Sequence, residues 1–276
     1  MSTPAVAVPV PRLAERGRVT QARVLLSEWT KLHSLRSTRW SLLAATVLGI
    51  GFPLLFAAIT SSHWGHMSPH ERADRSPIDV ALAGVNVSQL PIAVLGVLLI
   101  TGEYATGMIR SSFVAVPKRL PVLWAKLAVY ATVSFLLMLP AVLISFFATQ
   151  AILRRHTSLE IAFSHPGVTR SVIGGAVFLM LVGVFALGLG AIVRSTAGGI
   201  SAFAAIFFVI PPLLNVLPTS WNDAITPWLP SESARSLFAL THGPHTLSPD
   251  AGLAVFCGYC AFTIVVAAVL LRRRDA

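Results

Sequence analysis

Charged residues are scarce in this sequence. Asp, Glu, Lys and Arg make up 12% of its 276 residues, whereas 55% are hydrophobic. Soluble domains carry about 25% charged residues, so the composition excludes an ordinary water-soluble protein. The net charge of +10 would indicate nucleic-acid binding in a soluble chain, but here the basic residues flank apolar runs, as they do in proteins oriented in an anionic membrane. The composition predicts an all-α protein that crosses a lipid bilayer several times and binds no nucleic acid.

Cysteine is almost absent. The two that occur, Cys257 and Cys260, lie within one apolar run. Two thiols exclude a disulfide framework, and a structural zinc site would need two further ligands that this run lacks. We interpret both cysteines as small apolar packing residues.

Nucleotide-binding and zinc-protease motifs are lacking. A phosphate-binding loop needs glycines ahead of Gly-Lys-Ser/Thr, so that backbone amides and the lysine can hold the phosphates. None of the three lysines, Lys31, Lys118 and Lys126, follows a glycine. His70-Glu71 has no second histidine four residues after the first, which excludes a His-Glu-x-x-His site. We expect no enzyme activity, no cofactor and no metal in this chain.

Ionisable groups are nearly missing from the apolar runs. Such groups mark proton and ion relays inside membranes, so their scarcity argues against an ion-coupled pump. It also predicts that the spans contain neither the paired carboxylates nor the buried Ser/His arrangement that a catalytic site would need. Outside the runs, His63, His66 and His70 have spacings of 3 and 4. That is a weak metal-like pattern, for which a solvated turn is the default interpretation.

Six apolar runs are long enough to cross the membrane as helices, given a hydrocarbon core of about 30 Å and a rise of about 1.5 Å per residue. Between the last two runs lies a loop, 218–250, whose aromatic and leucine residues predict a re-entrant segment that dips back into the membrane interface. The predicted spans are about 40–60, 80–101, 120–153, 171–193, 197–217 and 251–271.

The sequence ahead of the first span divides into two parts. Residues 1–19 contain three prolines and three arginines, which predicts a disordered basic tail. Residues 20–38 predict an amphipathic helix at the membrane interface, with Glu28 and Lys31 lying mostly off its apolar stripe. Residues 39–274 then form a single six-span transmembrane domain. The predicted stripe consists of Val24, Leu25, Trp29, Leu32 and Leu35.

The placement of lysine and arginine predicts the orientation. With the N-terminus inside, 15 of the 21 basic residues fall on the cytoplasmic side and six on the other. This split favours a multi-pass protein with both termini in the cytoplasm. The six basic residues on the outer side are Arg72, Arg75, Arg154, Arg155, Arg170 and Arg235.

The fourth span is rich in glycine and alanine. Small residues allow helices to approach closely, so this span is predicted to pack inside the protein, with a dimer seam as the less favoured use. The small residues are Gly174, Gly175, Ala176, Gly183, Ala186, Gly188 and Gly190.

A short polar segment, 102–119, separates the second and third spans. Its apolar residues recur at helical spacing, which predicts an amphipathic helix at the membrane surface. Pro117 ends that helix, because proline lacks an amide N–H and restricts the residue before it. The apolar residues are Tyr104, Met108, Ile109, Phe113 and Val116.

The motif Glu103-Tyr104-x-Thr106-Gly107-x-Ile109-Arg110, followed by Pro117-x-Arg119, resembles the cytoplasmic coupling helix of permease subunits in bacterial ABC-2 type transporters. The six-span layout, the basic amphipathic N-terminal helix and the apolar loop before the last span are also similar to that family. The resemblance covers about residues 20–274. Met108 departs from it mildly, since many members have Thr or Ser there.

The resemblance implies the transmembrane permease subunit of an ATP-driven exporter in the plasma (inner) membrane, with drugs, antibiotics, lipids or similar molecules as substrates. It implies a separate ATPase subunit that binds ATP and Mg, and a second permease subunit, identical or different. Glu103 and Arg110 would make polar contacts with the ATPase, and Tyr104 and Ile109 would be anchors. The residues implied for ATPase coupling are Glu103, Tyr104, Thr106, Gly107, Ile109, Arg110, Pro117 and Arg119.

Two other interpretations of these residues stay open. A basic cytoplasmic loop that only sets the topology would contain the same charges. A membrane-embedded sensor or immunity protein, which binds a peptide or lipid without translocating it, would have the same spans. The presence or absence of a neighbouring gene for an ATP-binding cassette distinguishes that protein from a permease.

Overall fold

The computed structural model describes residues 20–73, 75–107, 120–155, 159–241, 243 and 246–273. Within these ranges the chain forms helices, turns and bends, and no strand. Six helical stretches there are long and apolar enough to cross a membrane, and one of them, Thr196–Leu214, combines several shorter elements. This confirms the predicted all-α class with six candidate spans. The helices are α1 (Gln21–Ser34), α2 (Arg36–His63), α3 (Pro69–Ala73), α4 (Pro77–Ala105), α5 (Leu120–Leu153), α6 (Val168–Val193), α7 (Thr196–Ala204), α8 (Ile210–Leu214), α9 (Thr219–Ile225), α10 (Pro230–Arg235) and α11 (Pro249–Arg273).

The predicted interfacial helix ends earlier than expected. Leu35 has φ −78° and ψ 125°, an extended conformation that separates α1 from α2. Arg36 to Thr38 therefore belong to the helix of the first span and do not end the interfacial helix. The side chain of Arg39 reaches back across the break, where its Nε donates a hydrogen bond to the carbonyl of His33 at 3.0 Å and satisfies one of the orphaned carbonyls that end a helix.

Helices α4 and α6 form the centre of the bundle. In their most apolar 18-residue stretches, 61% of α4 and 67% of α6 is buried, against 17% to 39% in the other four spans. The peripheral helices instead expose apolar side chains, among them Trp40 and Val47 on α2 and Phe262 and Val265 on α11. Apolar residues on the outer surface are expected where lipid is the solvent.

Small residues in α6 pack against neighbouring helices, as the sequence predicted. A Cβ atom added at Gly183 would collide with the ring and hydroxyl of Tyr130 on α5, and one at Gly188 would lie 2.6 Å from Oγ1 of Thr263 on α11. The Tyr130 hydroxyl that fills the space beside Gly183 donates to the carbonyl of Ile92 on α4 at 2.7 Å. The glycines thus let α4, α5 and α11 approach α6 closely.

The fifth span is divided into α7, a π-helical turn over Ala205–Val209, and α8. Pro211 and Pro212 follow the turn and carry no amide N–H, so they cannot donate to the carbonyls one turn before them. Withdrawal of those hydrogen bonds explains why the helix widens just ahead of the two prolines.

The loop before the last span contains α9, a 3₁₀ turn over Thr226–Trp228, and α10. Leu237 and Phe238 are buried after α10, and the Phe238 ring meets the Phe178 ring of α6 edge to face at 5.0 Å between centroids. Trp221 and Trp228 remain exposed. The loop thus packs on the bundle through its C-terminal half, while its re-entry into the membrane interface stays a prediction.

Candidate functional site

Helix α1 lies against the end of the bundle where α4 finishes and α5 starts. Its buried residues, Val24, Glu28 and Leu32, are spaced four apart along a single stripe. Val24 packs on Val122 and Ala125 of α5, and the Gln21 amide donates to the carbonyl of Pro121 at 3.2 Å. The centre of this contact stripe is therefore a carboxylate, Glu28, which needs a buried partner.

Four charged side chains meet at that contact and form what we call the charge cluster: Glu28, Lys31, Glu103 and Lys126. Lys126 Nζ lies 2.6 Å from Glu28 Oε2 and 2.9 Å from Glu103 Oε1. Lys31 Nζ lies 2.7 Å from Glu28 Oε1 and 3.0 Å from the same Glu103 oxygen. Each lysine thus bridges both carboxylates, and the cluster joins α1, the last turn of α4 and the first turns of α5.

Three members of the charge cluster are almost fully buried. The Glu28 and Lys126 side chains are 5% exposed and that of Glu103 7%, whereas Lys31 is 30% exposed. Two carboxylates and two ammonium groups balance in charge, which is the condition under which charges can leave water without an uncompensated ion. Because desolvation offsets most of the Coulomb attraction, we infer that the cluster mainly fixes the position of α1 and contributes little net stability.

The pKa of Lys31 reflects this surrounding. Burial is the largest single influence and by itself lowers the pKa of the ammonium, but the hydrogen bonds and charges of Glu28 and Glu103 together outweigh it. The pKa of Lys31 is therefore raised above its ordinary value of 10.5. A raised lysine pKa stabilises the fold at any pH below the unfolded value, and that contribution disappears as the pH rises through the folded value.

We expect the Lys31 contacts to hold α1 in place unchanged across neutral pH and to weaken only above pH 10.5. The measurement is the melting temperature of the detergent-solubilised protein from pH 8 to pH 11, compared with that of Lys31→Met. The difference between the two proteins should be constant at lower pH and should shrink at the alkaline end. A difference that already shrinks between pH 8 and pH 10 would contradict a raised pKa.

Gly107 ends the segment that carries Glu103. Its φ of +70° is left-handed, a conformation that glycine adopts without strain and that commonly closes a helix. The Gly107 amide donates to the Tyr104 carbonyl at 3.3 Å, and the Thr106 hydroxyl donates to the Gly102 carbonyl at 2.9 Å. Glu103 and Tyr104 are therefore the last turn of the second span, where the sequence pattern had assigned them to a separate surface helix.

Tyr104 lies on another face of that last turn. The guanidinium of Arg194 sits 4.9 Å from the centre of its ring, within the range of a cation–π contact. One turn earlier, Thr196 donates to Thr101 at 2.8 Å between hydroxyl oxygens. These contacts join the end of α4 to the turn between α6 and α7. Residues 101–107 of the α4 end are therefore in contact with α1, with α5 and with that turn.

The predicted coupling residues divide into two groups. Glu103 is buried, Tyr104 is half-buried, and Thr106 and Gly107 are exposed at the end of α4. Ile109, Arg110, Pro117 and Arg119 lie outside the described residues, as do Met108, Phe113 and Val116, so the predicted surface helix itself stays a prediction.

The sequence reasoning missed three members of the charge cluster. It placed Glu28 and Lys31 off the apolar stripe and counted Lys126 only toward orientation, whereas the structure buries Glu28 and Lys126 in contact with each other. Two signals were present in the sequence. Glu28 lies midway between Val24 and Leu32. Lys126 is the sole Lys, Arg, His, Asp or Glu among the 34 residues of α5. Isolated charges in apolar surroundings indicate a buried partner.

Metal-binding geometry was searched among the described residues only. There, no three His, Cys, Asp or Glu side chains gather closely enough to hold an ion. His63, His66 and His70 are included in that search and belong to the turn region after α2 and to α3.

The sequence was also compared with known proteins. It matches no protein-family model and no curated protein.

Proposed function

We propose that this chain is the transmembrane permease subunit of an ATP-driven ABC-2 type exporter. A separate ATPase subunit would bind ATP and Mg and would contact the segment 103–119. A second permease subunit, identical or different, would complete the transport path, and the substrate would be a drug, an antibiotic, a lipid or a similar molecule. The six apolar helices and the motif in 103–119 support this proposal.

One observation supports the proposal most strongly: the charge cluster holds together the residues on either side of the proposed contact segment. Glu103 precedes residues 108–119 and Lys126 follows them, and their charged atoms are 2.9 Å apart. Both also bind Glu28 or Lys31 on α1. A force applied to the segment between them would therefore reach α1, α4 and α5 together, because ion-paired and packed elements move as units.

This geometry changes the role proposed for Glu103. The resemblance implies a polar contact with the ATPase, but a carboxylate that is 7% exposed and shared by two lysines cannot reach an outside surface while the cluster is intact. In the proposal Glu103 holds the segment in place, and Arg110 and Ile109 make the outward contacts. Tyr104 would transmit the movement to the turn between α6 and α7 through Arg194.

The proposal predicts that Arg110→Ala weakens association with the ATPase. We expect about tenfold less ATPase to co-purify in mild detergent from cells that produce both proteins, because one charged contact at an interface is removed. The measurement is the molar ratio of the two proteins after affinity capture of this chain, with an ABC ATPase from a neighbouring gene of the same genome as the probe.

Arg155→Ala is the matched control. Arg155 is an exposed arginine just beyond the far end of α5, roughly 51 Å from its start at 1.5 Å per residue for the 34 residues. That variant should capture as much ATPase as the unchanged protein. Equal losses for both arginines would show a nonspecific charge effect, and capture of no ATPase by the unchanged chain would favour the sensor or immunity protein.

A further inference from the structure

The first turns of α2 expose a basic and aromatic surface, which we call the arginine face: Arg36, Arg39 and Trp40. These positions share one side of the helix, because residues three and four apart are neighbours on a helix surface. All three side chains are exposed, that of Trp40 by 69%. Two exposed apolar residues, Leu43 and Val47, continue the same side along α2. The surface of this helix therefore changes from charged to aromatic to apolar within about three turns.

The chain does not neutralise the two arginines of this face. Arg36 makes no ion pair and no side-chain hydrogen bond within the described ranges, and no acidic residue occurs in the first turn of α2. Arg39 donates from Nε to the His33 carbonyl at 3.0 Å, which leaves both terminal nitrogens of its guanidinium without an acceptor in the described part of the chain. The nearest acidic residue in the sequence, Glu28, is buried in the charge cluster. Both guanidinium charges are therefore uncompensated.

Negative charge is scarce at this whole end of the bundle. The described residues of α1, the start of α2, the end of α4, the start of α5 and the α6–α7 turn include six basic residues and two acidic ones, Glu28 and Glu103. Both glutamates are already paired with lysines. By sequence, 1–19 and 108–119 add six basic residues and one acidic residue. A counter-charge for the arginine face therefore comes from outside the chain.

The lipid bilayer offers that charge at the right depth. Six apolar stretches place the chain among phospholipids, and the first turns of a span lie at the level of their head groups, where tryptophan is also favoured. Guanidinium groups bind phosphate oxygens through paired hydrogen bonds. From Arg36 to Val47 the helix rises roughly 17 Å, about the hydrocarbon depth of one leaflet. A second copy packed two-fold on this face would instead bring arginines near arginines.

We propose that the arginine face binds an anionic phospholipid, with the lipid phosphate on Arg36 and Arg39 and one acyl chain along Trp40, Leu43 and Val47. A lipid with net negative charge is preferred over a zwitterionic lipid with the same acyl chains, because the zwitterion carries its own cation beside the phosphate. This binding is independent of transport, so it can be tested whether or not the chain is a permease.

The test is native mass spectrometry of the full chain in detergent, titrated with dioleoyl phosphatidylglycerol or with dioleoyl phosphatidylcholine. We expect the first phosphatidylglycerol to bind at least about tenfold more tightly than the first phosphatidylcholine, because each basic residue beside an anionic lipid contributes roughly a fivefold change in affinity. The double variant Arg36→Gln, Arg39→Gln should lose most of this preference. Equal affinities of the unchanged protein for the two lipids would overturn the proposal.

Two further variants separate a site from general charge attraction. Arg36→Gln alone leaves the bond between Arg39 and His33 in place, so the α1–α2 break stays intact, and phosphatidylglycerol should bind about fivefold more weakly. The matched control is Arg272→Gln, Arg273→Gln, which removes the same charge from exposed positions at the end of α11. It should leave the affinity of the first phosphatidylglycerol unchanged. Equal losses in the two double variants would refute a site at the arginine face.

Competition identifies the occupant of the face. A large excess of inorganic phosphate should not displace the bound phosphatidylglycerol, because a free phosphate ion has no acyl chain to pack on Leu43 and Val47. Displacement by inorganic phosphate would show a site for a free anion and would overturn a lipid site. A dimer that forms only without bound lipid would assign the face to a second copy of the chain and would also overturn the proposal.

Discussion

Lys126→Met is expected to lower the free energy of unfolding by about 3–5 kcal/mol, the cost of breaking a buried ion pair by removal of one partner. Lys126 is 5% exposed and lies within 3 Å of both carboxylates of the charge cluster, at 2.6 Å and 2.9 Å. Its loss leaves two buried carboxylates with one ammonium between them. The measurement is unfolding in mixed micelles with increasing denaturing detergent, followed by intrinsic fluorescence.

A second replacement should rescue this variant. Glu28→Gln in the Lys126→Met background removes the extra negative charge and leaves Lys31 paired with Glu103 at 3.0 Å. We expect the double variant to recover more than half of the lost stability, because neighbouring members of a cluster are strongly non-additive. If instead the double variant lost as much stability as the single variants Lys126→Met and Glu28→Gln together, the charges would not be acting as a cluster.

An exposed ion pair provides the control for both variants. Arg154 Nε lies 3.5 Å from Glu160 Oε1, with the two side chains 70% and 49% exposed. Arg154→Met should change stability by no more than about 0.5–1 kcal/mol, since solvent screens exposed pairs and disorder opposes them. Each variant removes one cation, but Lys126→Met breaks two buried ion pairs and Arg154→Met breaks one exposed pair, so the contrast compares the buried cluster with a solvent-screened pair.

The span positions could be predicted from the sequence because each depends on local composition. A run of twenty or more apolar residues has few alternatives to a membrane helix, and α5 coincides with its predicted limits of 120–153. The ends of other helices shifted by a few residues, as at Leu35, where backbone conformation and not hydropathy decides the break. Local signals therefore gave the number, order and approximate length of the spans.

The charge cluster could not be derived in the same way. Glu28 and Lys126 are 98 positions apart, and one sequence does not reveal which distant charges face each other. The burial of Glu28 was missed for the same reason. Glu28 was placed off the apolar stripe of α1, but its partners Lys31 and Lys126 hold it in the interior, where it is 5% exposed. Tertiary pairing with a distant residue decides its position, and the local amphipathic pattern does not show it.

Gly96→Leu is expected to cause a large loss of packing at the centre of the bundle. Gly96 is on α4, and even a single Cβ atom there would lie 2.5 Å from the carbonyl oxygen of Gly183 on α6. The obstacle is backbone, so it cannot turn aside as a side chain can, and the two central helices must separate. Overpacking costs about 1–3 kcal/mol in ordinary cores. We expect Gly96→Ala to fall in that range and Gly96→Leu to exceed it, with aggregation on size-exclusion chromatography after mild heating as the readout.

Gly258→Ala distinguishes this steric effect from the intrinsic effect of replacing glycine in a helix. Gly258 lies within α11, and a Cβ atom there meets nothing within 4 Å. Because alanine is favoured over glycine in a helix interior by about 1 kcal/mol, Gly258→Ala should leave the protein as stable as before or slightly more so. Equal behaviour of Gly96→Ala and Gly258→Ala would mean that α4 and α6 do not cross in close contact at Gly96. In that case Tyr130, whose side chain fills the space beside Gly183, would not be packing at a close crossing of α4 and α6.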